Sequence, residues 1–490
     1  MEVMAHTMKE PARDQMIMGH DDERVLPVDP GLRQIARALY DEVRYLPIIS
    51  PHGHVEPALF AENQPLPSPA ELIIAPDHYL LRMLYSKGLE PELFGRFKTG
   101  QEQPDFNPRS AWRLFAANYF LFRGTPSRYW LDSVFQGVFD IHAPLGPDTA
   151  DLYYDTISAA CLRPELLPRA LFERMGIEVL ATTDSPLDDL SHHQKIAESN
   201  WPGRVIPTYR PDPITNPELP LFHENLQNLA DITGEGTASW KGYLAAHRNR
   251  REFFIALGAT ATDHGHPSPA TADLTKSECE SLFRRIISND FSATDSELFR
   301  AQVLTEMAAM SVDDGLVMQM HCGACRNYNP ALYRDYGPDI GADMAMPTEF
   351  VENLRPLLDR FGNRQELTLV LFTLDDSTYS RELAPLAGHF PSVRLGAPWW
   401  FHDSPEGMMR FRRRVTETAG FYNTVGFTDD SRALLSLPAR HDLARRVDCS
   451  YLAELVAKQQ IGEEEALEVA IDLSYRLAKS SYRLDRKSET

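Results

Sequence analysis

The sequence predicts an α/β fold: a (β/α)8 TIM-type barrel with an inserted helical subdomain after the first strand and additional C-terminal helices. Two observations predict it. Eight short apolar runs alternate with helical patterns, and polar or charged residues gather at the carboxyl ends of those runs. The chain is also large enough, with 490 residues of which 43% are hydrophobic, to form one large domain with insertions. A doubly wound sheet would share the alternation. Its G-x-G-x-x-G fingerprint is absent, as is a P-loop, so no nucleotide cofactor is expected.

Residues 1–59 read as a lead-in, a helix through Leu32–Tyr40 and a first strand, Leu46-Pro47-Ile48-Ile49, which runs into Ser50-Pro51-His52-Gly53-His54. Residues 60–165 are too long for a simple crossover and are rich in helical pattern and aromatics, as in Ser110–Phe115 and Tyr119–Gly124. Residues 166–437 hold the remaining strand runs. These are Gly176–Ala181, Val205–Tyr209, Phe253–Ala259, Leu316–Met320, Leu367–Phe372, Val393–Pro398 and Tyr422–Phe427. Helical spacing through Leu452, Leu455, Val456, Ala466, Val469, Ile471 and Leu473 marks residues 438–490 as helices packed on the barrel.

The formal net charge of −21 argues against nucleic-acid binding through a basic surface, and it makes arginines near strand ends more informative. No apolar run is long enough to span a bilayer, and Met1–His20 lacks the apolar core of a signal peptide, so a cytoplasmic enzyme is expected. Five scattered cysteines suit reduced thiols. Cys322-Gly323-Ala324-Cys325 lacks both a second C-x-x-C and a thioredoxin-like setting.

His52 and His54 stand at i and i+2. On a strand this places both imidazoles on one face, where they can share a divalent ion such as zinc. Further polar residues follow later runs: Arg210, Asp263, His321, Trp399, and the pair Asp429-Asp430. His192 and His193 are adjacent on a helical pattern and point in different directions, so they are not grouped as a metal pair.

With these residues in view, the chain resembles the amidohydrolase superfamily of metal-dependent barrels and, within it, the uronate (glucuronate) isomerases. The matching stretches run in order. They are Asp77-His78-Tyr79, Thr182-Thr183-Asp184-Ser185-Pro186, Tyr209-Arg210-Pro211-Asp212, Thr262-Asp263-His264, His321–Asn327, Trp399-Trp400-Phe401 and Asp430-Ser431-Arg432. Two positions depart from the family pattern: Ser50 replaces an acidic residue, and Ser185 replaces an aspartate.

The resemblance implies interconversion of a hexuronate aldose and its ketose through an enediol, which requires a base, an electrophile and a proton donor. It implies one divalent metal, expected to be zinc, on His52, His54 and Asp430. Ser431-Arg432 favours Asp430 over Asp429 as the family's carboxylate. Asp430, Tyr79, Arg432 and His321 are the catalytic candidates. Arg210, Arg326, Asp263 and Trp399 are the substrate-binding candidates, with arginine suited to a bidentate carboxylate clamp. The expected partner is an anionic sugar, without nucleic acid or membrane, and a homo-oligomer is in keeping with such an enzyme. The competing readings are a metal-dependent hydrolase and a non-catalytic uronate-binding protein on the same fold.

Overall fold

The computed structural model describes residues 23–100 and 106–485. The stretch Met1–His20, read above for a signal peptide, lies outside the described residues.

Parallel strands provide the frame. β1 (Ile48–Ser50), β2 (Ile177–Ala181) and β3 (Arg204–Ile206) form one sheet, with Ser50 opposite Leu180 and Ala181 opposite Ile206. β4 (Ala261–His264), β5 (Val317–Cys322), β8 (Leu369–Thr373) and β9 (Val393–Leu395) form a second. Between β5 and β8, the short strands β6 (Ala324–Cys325) and β7 (Met344–Ala345) pair antiparallel.

Regular ladders do not run unbroken between the sheets. Tyr209 bridges Asp184 on one side and Thr262 on the other, and Thr424 bridges Leu395. The backbone N–H of His54 then donates to the Ser431 carbonyl at 2.8 Å, linking the last segment to the first.

The core follows the strand period of two. In β8, Leu369 and Leu371 face the surrounding helices, whereas Val370 and Phe372 join a second cluster. That second cluster takes Ile49, Val179, Ile206, Ala261, Val317, Val370 and Val425 from seven different segments, which is how a barrel interior is filled.

The run Phe253–Ala259 is not a strand. Its first part ends the helix Trp240–Ala256, with Phe254 buried and Ile255 37% exposed, and the strand begins only at Ala261. A continuous apolar run carries no period with which to tell the two apart. Tyr422–Phe427 pairs with its neighbour through Thr424 without forming a regular strand.

Between β1 and β2 the described residues form helices, each started by a specific cap. Asp77 accepts from the N–H groups of Tyr79 and Leu80 ahead of His78–Tyr85, Asn107 caps Pro108–Asn118, and Thr125 caps Pro126–Gly137. Their aromatic core, including Trp112, Phe115 and Phe135, is continuous with Ile48, Ile177 and Leu180 of the sheet. The helix Leu437–Ala457 is buried along most of its length. It packs on Pro30–Val43 through Leu39, Tyr40, Val43, Cys449 and Leu452. Among the described residues, no helix is long and apolar enough to cross a membrane.

Candidate active site

The site forms where β1 ends. Gly53 passes so close to the last segment that a Cβ there would lie 3.2 Å from the Ser431 carbonyl oxygen, a proximity that goes with the His54–Ser431 bond. His52 and His54 sit just beyond the strand, not on it, with ring centroids 5.3 Å apart and edge-on. Across from them Asp430 adopts a left-handed backbone (φ 45°), a conformation that aspartate tolerates better than most residues.

Asp430 Oδ1 lies 3.1 Å from His54 Nε2 and 3.4 Å from His52 Nε2, yet it is buried and makes no hydrogen bond of good geometry. The three potential ligand atoms all fall within 4.8 Å of one another. Two imidazoles and a carboxylate converging in this way fit a divalent cation. Burial opposes the charge on Asp430, but the two histidines outweigh it and hold the carboxyl well below the usual range. Burial dominates at His54 and depresses its pKa to about 4, so the ring is neutral and able to ligate. Asp429 turns away and meets His441 Nε2 at 3.1 Å, so Asp430 is the carboxylate that faces the histidines.

His321, at the end of β5, completes the cluster. Its ring lies between His52 and Phe372, with centroids 4.6 Å and 4.0 Å away. Its Nδ1 is 2.6 Å from Asp263 Oδ1, and Arg210 Nη1 is 3.1 Å from the other Asp263 oxygen. Arg210 is in turn held by Asp212 at 2.8 Å. Asp263, expected from the sequence to orient sugar hydroxyls, is fully buried behind His321, bonds its ring and does not line the cavity.

A cavity of about 750 Å³ opens over these groups. Of the predicted residues, His52, His54, Arg210, His321, Arg326, Trp399, Asp430 and Arg432 line it. Arg326 lies 5.3 Å from the ring of Trp400, and Trp399 packs edge-on against His321. Tyr79 is off the main wall. It lines an apolar side chamber that also touches Asp430 and Arg432, and its hydroxyl donates to Asp403 Oδ2 at 2.8 Å.

The sequence reading missed Asp212, which was visible only as part of a motif, and Asp339 and Asp343, which pair with Arg432 and Arg326. It also set aside His192, which does face the cavity, whereas His193 is buried against Thr182. Their adjacency correctly implied divergence; which of the two would point inward depended on the fold.

A family model described as glucuronate isomerase matches residues 32–482. The chain is 57% identical to a uronate isomerase of Xanthomonas axonopodis pv. citri over 96% of its length and 100% of that protein. It is likewise 57% identical to one of Sphingopyxis alaskensis over 94% and 98% of the two chains. The crystal structure of glucuronate isomerase from Caulobacter crescentus superposes with a TM-score of 0.94 at 53% identity, covering 96% and 98%. The uronate isomerase from Thermotoga maritima gives 0.87 at 28% identity, covering 94% and 99%. Near-complete coverage in both directions, joined to the convergence of His52, His54 and Asp430, places the chain in the uronate isomerase family.

Proposed function

We propose that this protein is a hexuronate aldose–ketose isomerase, interconverting glucuronate with fructuronate and galacturonate with tagaturonate. The observation that carries the reading is one carboxylate, Asp430, set against two histidines in a cavity whose wall also presents Arg326 and Arg432. His52, His54 and Asp430 would hold one divalent metal, with zinc as the proposed ion. When bound it would act as an electrophile and anchor for substrate oxygens.

The residues divide the work as follows. Asp430 takes the proton from C2 of the open-chain aldose, and Arg432 stabilises the negative charge that develops on the enediolate oxygens. Tyr79 delivers a proton to C1 and recovers one from the protonated Asp430, so the net transfer is from C2 to C1 and both groups are reset. Burial and Asp403 keep its phenol protonated, so it enters each turnover as the donor. His321 presents Nε2 to the substrate and relays the hydroxyl proton from O2 to O1. The C6 carboxylate is held among Arg210, Arg326 and Arg432, and Trp399 bounds the chain. Lysine is missing from the described cavity wall, which removes the usual bridge of a binuclear hydrolase.

The test is incubation of metal-loaded protein with glucuronate and galacturonate in deuterated water, followed by NMR. Ketose formation with deuterium entering the carbon skeleton, and no esterase activity, is the expected result. Absence of turnover on every uronate tried would overturn the proposal.

A further inference from the structure

The two cavity arginines that carry the least internal neutralisation are each met by an aspartate from one segment. Arg432 Nη2 lies 2.9 Å from Asp339 Oδ1, with side chains 30% and 39% exposed. Arg326 Nη1 lies 3.5 Å from Asp343 Oδ2. All four residues line the catalytic cavity. The aspartates differ in how they are held. Asp343 also accepts the backbone N–H of Asn327 at 2.7 Å and is fixed by the β6–β7 pairing next to it. Among the described residues, Asp339 has no backbone N–H donor to its carboxylate comparable to that of Asp343. It sits in a left-handed conformation (φ 64°), and Gly337 (φ 75°) and Gly341 (φ 81°), two residues to either side, also have positive angles.

We propose that Asp339 is an internal competitor at Arg432: a carboxylate that occupies the guanidinium until the carboxylate or enediolate oxygens of an anionic substrate exchange with it. The inference rests on the uronate reading above. A partly exposed ion pair is weak enough to be exchanged, yet it keeps the guanidinium extended into the cavity and spares the empty site an unpaired cation. An incoming anion offers the same planar fork and displaces Asp339 by like-charge repulsion. A neutral sugar leaves the pair in place, so Asp339 lowers the affinity of anionic ligands alone.

The experiment compares wild type, Asp339→Asn and Asp339→Glu. In Asp339→Asn, KM for glucuronate should fall about two- to five-fold, as expected for loss of one exposed ion pair. The dissociation constant of D-gluconate, an unreactive sugar acid measured by calorimetry, should fall by the same factor, while that of neutral D-glucitol stays unchanged. Asp339→Glu, which keeps the carboxylate, should stay within two-fold of wild type in the rough scale of such pairs. Should Asp339→Asn not fold, Asp339→Ser carries the same expectations. An unchanged or raised KM and gluconate constant in a folded variant would overturn the proposal. Failure of wild type to isomerise any uronate would sink the isomerase reading instead, and the gluconate and glucitol arms would still decide the exchange.

Discussion

His321 Nδ1 lies 2.6 Å from Asp263 Oδ1, and this one bond decides which ring nitrogen faces the cavity. The carboxylate is held well below its usual pKa by His321 and Arg210 against the cost of burial, so it can only accept. Nδ1 therefore carries the proton, and Nε2, buried without a partner, presents its lone pair. Burial lowers the His321 pKa despite Asp263, which keeps the ring neutral.

Replacing Asp263 by Asn keeps the shape and removes that instruction. An amide can turn its NH2 toward Nδ1 and force the other tautomer, leaving Nε2–H toward the substrate. We expect kcat to fall by about 10²-fold or more, the scale of a lost acid–base contribution. KM should change little, and metal content should be retained. Steady-state kinetics with metal analysis checks this; a variant with normal kcat would show that the tautomer is immaterial.

Asp430 tests the division between catalysis and folding. Its left-handed backbone is one that asparagine adopts readily, so Asp430→Asn should fold with an unchanged circular dichroism spectrum. Turnover should drop by about 10³-fold or more, because base and ligand charge vanish together. Bound metal should fall below one equivalent in the same preparation. Asp429→Asn loses the bond to His441 instead and should lower stability while metal binding persists. If Asp430→Asn retained near-normal turnover, the catalytic carboxylate would have to be sought elsewhere.

How much of this was legible depended on whether a residue's partner was local. His52 and His54 are neighbours, and their joint direction follows from extended backbone alone, although the structure sets them past the strand's last paired residue. Asp430 could be told from Asp429 by the Ser431-Arg432 that follows, and the geometry agrees because the left-handed turn at Asp430 alone points the carboxylate inward. Asp339 and Asp343 were opaque. They sit in a loop without hydrophobic period, and their arginines lie far away in the chain. Phe253–Ala259 was misread because a helix end and a buried strand share one apolar composition. Asp263 could be found from its motif, but only the packing shows that His321 stands between it and the cavity.

Asp184 gives the pH dependence of stability a specific source. It lies just beyond β2, with its side chain accepting from Thr182 Oγ1 at 2.7 Å. Burial, followed by the charges of Asp188 and Glu56, outweighs the Thr182 and Thr208 bonds and raises its pKa to about 7. An unfolded aspartate titrates near 3.9. Between these values the native state keeps a proton that the unfolded chain has lost, so this residue makes stability fall as pH rises from about 4 to about 7. Below that window it contributes nothing; above it the penalty is constant. Asp184→Asn keeps an acceptor for Thr182 and cannot ionise. Its stability relative to wild type should therefore rise across the window, by on the order of 4 kcal/mol, and level off above pH 7. Urea denaturation of both proteins at intervals from pH 4 to pH 8 measures the difference, in which the other titrating groups cancel. A flat difference would mean that Asp184 is ionised in the native protein throughout and that its neighbours solvate the charge.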